Sequence, residues 1–241
     1  MTKHRVSFIC LLAALICTSS SAKVDKSTPT LVEVRKIWDK APHNAFTDLV
    51  RFKDEWFCVF REGKGHVSPD GALRVIASKG GKVWRSTALL TSDDSDLRDA
   101  KINITPDGRL MLSGAEAMHD RTEYSHQSLT WFSKDGRKWS KAHEVGDRDF
   151  WLWRTTWWQG KAYGFGYGTS RRDRSIRLYR SDDSSSFEVL VKNAFDKGYP
   201  NETSIVFLPN ETALCLLRRD GNLNTAQLGR SQPPYKEWTW K

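Results

Sequence analysis

Ser133-Lys134-Asp135-Gly136-Arg137-Lys138-Trp139 is a polar turn that starts in a serine and ends in an aromatic, and versions of it occur three more times. The others are Ser78-Lys79-Gly80-Gly81-Lys82-Val83-Trp84, Ser181-Asp182-Asp183-Ser184-Ser185-Ser186-Phe187 and a more decayed stretch from Ser231 to Trp238. Their serines are 55, 48 and 50 residues apart. Ahead of each turn lie two strand-like runs, 46–52 with 56–61, 99–104 with 110–115, 153–157 with 162–167, and 202–207 with 213–218. The members of each pair are joined at Lys53-Asp54, Asp107-Gly108, Gln159-Gly160 and Asn210-Glu211. A period of about 50 residues made of strands and turns predicts an all-β chain folded as a β-propeller. One four-stranded blade cannot bury both of its faces, so neighbouring blades must stack.

The first 22 residues do not share this pattern. Thr2-Lys3-His4-Arg5 is basic, residues 6–17 are apolar, and Thr18-Ser19-Ser20-Ser21-Ala22 is small and polar. That order is the order of a secretory signal peptide, with cleavage expected after Ala22. The apolar run is 12 residues long, too short for a hydrocarbon core of about 30 Å, and no other stretch is apolar enough to be transmembrane. Cys17 raises a lipid-modified cysteine as the alternative, against which the bulky Ile16 counts. The expected organisation is a signal over 1–22, a lead-in over 23–44 and the propeller over 45–241, exported to the periplasm or secreted.

Composition narrows the partners. The formal charge is +9, falling to +7 once Lys3 and Arg5 leave with the signal. Basic residues are scattered, and the densest run, Arg171-Arg172-Asp173-Arg174, is broken by an acid and reads most simply as a solvated loop. No nucleic-acid motif is present, so an anionic glycan or small molecule is the expected partner of what is expected to be a monomer. His43, His66, His119, His126 and His143 stand apart, without metal-ligand spacing, and neither metal nor cofactor is expected. Cys58 and Cys215, each inside an apolar run, read as buried thiols. Eleven Trp and eleven Phe supply the packing area.

Laying the four repeats over one another locates a site. Charged residues recur at the start of first strands and the end of second strands, positions that an antiparallel pair brings to one rim. Asp48, Arg61, Asp99, Lys101, Arg154, Glu202 and Arg218 should therefore gather at one mouth. The plainer reading is a set of ion pairs tying blades together, which accounts for some of the seven. Trp151 and Trp153, which precede or open a first strand, could stack on sugar rings there.

The serine-to-aromatic turns resemble the Asp boxes (Ser-x-Asp-x-Gly-x-Thr-Trp) of sialidases and related propellers, with Ser133 to Trp139 nearest the pattern. Asn201-Glu202-Thr203-Ser204-Ile205-Val206-Phe207, leading to Arg218 16 residues after the glutamate, is similar to the sialidase segment in which a glutamate opens one strand and an arginine closes the next. Asp70-Gly71-Ala72-Leu73-Arg74-Val75-Ile76-Ala77-Ser78 resembles the stretch before the first box. The resemblance implies a glycosidase acting on terminal acidic sugars, with Asp70 as acid/base and Glu202 polarising a tyrosine nucleophile. Arg218 would grip a carboxylate through the planar fork that suits it, helped by Arg61 in place of the first-strand arginine that Ala45-Phe46-Thr47-Asp48 lacks. It also implies six blades, of which four are visible. The expectation is of an incomplete ring whose last arginine and tyrosine lie outside residues 1–241, so that the chain alone does not turn over substrate.

Two other readings stay open. Asp48, Arg98-Asp99-Ala100 and Glu202 form a three-carboxylate layout that looks like five-bladed furanosidases and arabinanases, which work with an acid and a base or nucleophile. A non-catalytic propeller binding glycan or protein through its aromatic rim is the third.

Overall fold

The structure, a computed structural model, describes residues 29–221 and 225–241. Residues 1–22, expected to be a signal, and the first part of the expected lead-in lie outside the described residues. Residues 29–35 carry no regular secondary structure, and Lys36–Lys241 is one compact unit. Among the described residues there is no helix.

Among the described residues, sixteen strands form four antiparallel sheets, each a meander of four consecutive strands. Blade 1 comprises β1 (His43–Phe52), β2 (Glu55–Gly63), β3 (Ala72–Ser78) and β4 (Arg85–Leu90). Blade 2 holds β5 (Ser95–Ile104), β6 (Leu110–Met118), β7 (His126–Ser133) and β8 (His143–Val145). Blade 3 holds β9 (Phe150–Trp158), β10 (Lys161–Gly168), β11 (Ile176–Ser181) and β12 (Glu188–Phe195). Blade 4 holds β13 (Pro200–Phe207), β14 (Ala213–Arg219), β15 (Gln227–Ser231) and β16 (Thr239–Trp240). The four-bladed all-β architecture follows the period seen in the sequence.

Stacking explains the composition of the strands. β6 is buried along almost its whole length because a blade lies on either side; β2 and β3 pack one face on blade 2 and cover Cys58, Phe60 and Ile76 of the other with Trp38 and Trp84, so all three read as continuous apolar runs. Phe57, Val59, Leu73 and Val75 of blade 1 share a core with Leu97, Ile102, Leu112 and Trp131 of blade 2. Tyr163, Phe165 and Leu178 of blade 3 do the same with Ile205, Cys215 and Leu217 of blade 4. First strands pack in series, β1 on β5, β5 on β9 and β9 on β13, and among the described residues no comparable packing of β13 on β1 closes the series. Blade 4 alternates instead: Ile205, Cys215 and Leu217 face inward, while Val206, Leu216 and Leu228 are 52%, 60% and 36% exposed.

The serine turns join the third and fourth strands of their blades. Ser133 Oγ accepts from the Gly136 N–H at 2.8 Å, and Asp135 Oδ1 accepts from the Arg137 and Lys138 N–H groups at 2.9 Å. Ser78 with Gly81 and Ser181 with Ser184 repeat the serine contact, at 2.9 and 2.7 Å. Gly136 has φ +71°, and a Cβ there would lie 2.1 Å from the Phe57 ring of blade 1, so the turn both reverses the chain and locks two blades. The fourth turn differs: Ser231 Oγ donates to the Glu237 carbonyl at 2.6 Å. Cys58 and Cys215 are free and buried.

Every first strand carries one extra residue near its start. The register against the second strand shifts between Ala45 and Asp48, between Arg98 and Lys101, at Trp153, and between Pro200 and Thr203. Such bulges bend a strand and re-aim its side chains. Asp99 sits in one of them with φ 55°, a conformation costly for a residue with a side chain.

Candidate functional site

The bulged ends of the first strands and the final residues of the second strands share one rim, as the pairings Ala45 with Arg61, Ser95 with Met118, Phe150 with Gly168, and Pro200 with Arg219 show. A cleft of about 690 Å³ opens there, and Lys101, Trp153, Arg154, Glu202, Arg218 and Asp220 line it. Five of these are expected from the sequence; Asp220 is not.

Glu202 stands on the β13 bulge and pairs with Arg218 at 2.6 Å (Glu202 Oε1 to Arg218 Nη1). Arg218 Nη2 also reaches Asp220 Oδ1 at 2.9 Å, and Asn201 Nδ2 donates to Asp220 Oδ2 at 2.8 Å. The Arg218 side chain remains about half exposed, so its guanidinium edge can still meet a ligand. Lys101 is buried, its Nζ 4.4 Å from the Trp153 ring centroid and 3.3 Å from the Asp99 carbonyl. Burial lowers the Lys101 pKa, against the opposing pull of Asp99, Asp48 and Glu202.

Asp99 lies behind Lys101, 5% exposed, with Oδ1 lacking any hydrogen-bond partner. Desolvation raises its pKa above the ordinary carboxylate range; Lys101 and Arg98 oppose the rise and Glu202 adds to it. Asp48 is spoken for structurally: Oδ2 accepts the Ile102 N–H at 3.0 Å and Oδ1 meets Arg154 Nη2 at 3.1 Å, joining blades 1, 2 and 3. Arg154, which serves as Asp48's partner, also lines the cleft.

Arg61 and Asp70 belong to the same rim but do not line the cleft. Arg61 is fully buried; Nε and Nη2 bind Asp96 at 2.9 and 2.8 Å, and Nη1 and Nη2 donate to the Gly65 and Ser68 carbonyls. With each of its nitrogens engaged, this guanidinium is an interior tie between blades 1 and 2, with no free edge for a carboxylate. Asp70, on the loop after β2, is exposed and accepts from the Lys64 N–H at 3.2 Å, away from the central cleft. Hydrogen bonds from Ser68 and from the Lys64 N–H hold its carboxyl below the usual range, the opposite of what a proton donor needs.

Aromatic residues support the mouth. Trp151 stacks on Tyr167 with rings 6.2 Å apart and 4° from parallel, and Arg98 lies 5.7 Å over Trp151. Tyr167, at the end of β10, is held firmly protonated by burial, and Asp99 and Glu202 push in the same direction. Trp151 is buried in this stack, whereas Trp153 reaches the cleft.

No protein-family model and no curated protein matches the sequence. Solved structures do resemble the fold. The chain aligns with a Hadza microbial sialidase at TM-score 0.66 and 14% identity, over 83% of this chain and 47% of that one. An α-L-arabinanase of Penicillium chrysogenum aligns at TM-score 0.64 and 14% identity, covering 83% and 66%. A β-1,3-galactosidase of glycoside hydrolase family 43 aligns at TM-score 0.61 and 10% identity, covering 82% and 75%. At such identities the likeness concerns the fold, which this chain shares with the propellers of glycoside hydrolases of several specificities.

Proposed function

We propose that the protein is a glycoside hydrolase that cleaves a terminal sugar bound in the central cleft. Glu202 acts as nucleophile or base and Asp99 as proton donor. The observation that carries this is the contrast between two carboxyl groups sensing one another at the mouth: Glu202 is ion-paired with Arg218, while Asp99 is buried, unpaired at Oδ1 and shifted toward its protonated form. A carboxylate held by a guanidinium and a second carboxyl group that burial shifts toward its protonated form are the two parts that glycoside hydrolysis requires. The acid role, given to Asp70 by resemblance, passes to Asp99 because burial shifts Asp99 toward its protonated form while hydrogen bonds shift Asp70 away from it. Both groups belong to this chain, so this chemistry calls on no tyrosine from elsewhere.

Arg218, Lys101 and Arg154 favour a sugar bearing a carboxylate over a neutral one, which keeps the sialidase-type substrate as the first choice. A neutral furanoside is the second reading, supported by the three carboxylates Asp48, Asp99 and Glu202 around Lys101. A six-bladed ring belongs to the same proposal, supported by the apolar face of Val206, Leu216 and Leu228. So does export, supported by the basic, apolar, small order of residues 2–22. Hydrolysis of fluorogenic sialoside, glucuronide and arabinofuranoside substrates, with Glu202→Gln and Asp99→Asn as controls, tests the reading. Release from an acidic sugar that both variants abolish is expected. Wild-type activity surviving in both variants, or no release from any of the three, would overturn it.

A further inference from the structure

A second cleft, of about 430 Å³, opens where the loop after β10 faces the end of β12. β10 and β12 both end, and β11 and β13 both begin, at the mouth rim, so this cleft shares a rim with the central one. Four cations line it, Arg172, Arg174, Arg177 and Lys192, against the carboxylates Asp173 and Asp196. Arg177 is neutralised in place by Asp147 at 2.5 Å and Asp173 at 3.0 Å. Asp173 is further held by the Ser175 N–H and hydroxyl, and Asp196 accepts from Asn193 Nδ2 at 2.9 Å. Arg172, Arg174 and Lys192 remain exposed and, among the described residues, make no ion pair with a carboxylate. A concave site with uncompensated cations concentrates anions from solution.

Tyr199 links this cleft to the centre. Arg174 lies 4.4 Å over its ring, and its carbonyl accepts the N–H of Asp220, a residue of the central cleft, at 3.2 Å. A guanidinium held flat on an aromatic ring keeps its edge free to bind an oxyanion. A chain crossing Tyr199 would occupy both clefts in turn.

We propose that the Arg172–Arg174–Lys192 cleft is an accessory subsite for a carboxylate or sulfate group on a polysaccharide whose terminal sugar enters the central cleft. The subsite rests on the hydrolase reading for the word accessory, and its binding can be measured without turnover. It predicts a preference for acidic polymers over short acidic glycosides, since the short ones reach only the central cleft.

Affinity electrophoresis of the full chain through gels containing polygalacturonate, dextran sulfate or neutral dextran tests the proposal. The double variant Arg174→Glu/Lys192→Glu is compared with Lys79→Glu/Lys82→Glu, which makes the same charge change in the exposed Ser78 turn on the opposite rim. Melting curves establish that both variants are folded. The wild type and the Lys79/Lys82 variant should be retarded by at least one polyanion and not by dextran. The Arg174/Lys192 variant should bind about tenfold more weakly, and retardation should vanish in about 1 M salt, where the Debye length is about 3 Å. Retardation by polygalacturonate assigns a carboxylate, and by dextran sulfate alone a sulfate ester. Equal weakening in the two variants would reduce the effect to net charge and overturn the subsite, as would unchanged binding in the Arg174/Lys192 variant. If the wild type hydrolyses nothing yet shows the expected binding pattern, the subsite stands and the hydrolase reading falls.

Discussion

Arg61 grips Asp96 through Nε and Nη2 at 2.9 and 2.8 Å, in a place where the arginine side chain is 0% and the aspartate 6% exposed. One partner comes from β2 and the other from β5, so the pair spans two blades. Removing Arg61 leaves buried Asp96 with only the longer Arg98 contact at 3.8 Å, and removing Asp96 leaves the Arg61 charge buried without a carboxylate; either should destabilise the fold by about 3–5 kcal/mol. Arg61→Ala is therefore expected to lower the urea midpoint sharply, and Arg61→Met with Asp96→Leu to recover most of the loss. If Arg61→Ala unfolds as the wild type does, water reaches the pair and the tie is weak.

Asp99→Asn should raise stability at neutral pH. Burial raises the folded-state pKa, so the folded protein prefers the protonated group. Its contribution is complete below the unfolded carboxylate pKa and is lost as pH rises through the raised folded value. The variant, which has no charge to desolvate, should melt higher than wild type at pH 7 and at the same temperature at pH 3. A lower melting temperature at pH 7 would mean that the Asp99 charge is held favourably by Lys101 and Arg98.

Activity should follow the same group. If Asp99 gives the proton, turnover falls as pH rises through its pKa, and that alkaline limb disappears from whatever rate Asp99→Asn retains. Glu202→Gln should lower turnover by about a hundredfold to ten-thousandfold with little change in melting temperature, since its partner Arg218 is half exposed and keeps Asp220.

Gly136→Ala and Gly81→Ala make a matched pair. Both glycines have φ near +70°, but only at Gly136 would the new methyl meet the Phe57 ring; at Gly81 nothing lies within 4 Å. The first should cost about 1–3 kcal/mol more than the second, measured by chemical denaturation. Equal losses would show that the turn is not wedged between blades.

Much of the fold was legible because the chain repeats it. The turns at Lys53, Gly108, Gln159 and Glu211 lie where two strand-like runs meet, and all have positive φ. First strands begin earlier than the sequence suggests, at Ser95 and Phe150 rather than 99 and 153, because the bulge interrupts the alternation that marks a strand. The site was legible as far as strand polarity goes, which gathers Lys101, Trp153, Arg154, Glu202 and Arg218. Polarity gives the rim but not the depth, and Arg61 shows the difference: its partner Asp96 is 35 residues away, and nothing local says the guanidinium turns inward. Tyr167 reads as an apolar strand end, although it occupies the end of a second strand as Arg61 and Arg218 do. Asp220 follows the strand, where the repeat offers no counterpart to compare.

The extra residue near the start of each first strand separates two parts of the blade. Below it, residues such as Val50, Ile102 and Ile205 pack into the cores shared between neighbouring blades. At the bulge itself the four copies hold Phe46-Thr47, Asp99-Ala100, Trp153 and Asn201-Glu202, which share neither size nor charge. An offset in the backbone lets the mouth vary from copy to copy without disturbing the register beneath it. Four copies of one blade plan thus place an aromatic ring, a buried acid, a cleft-facing tryptophan and an ion-paired carboxylate on a single rim.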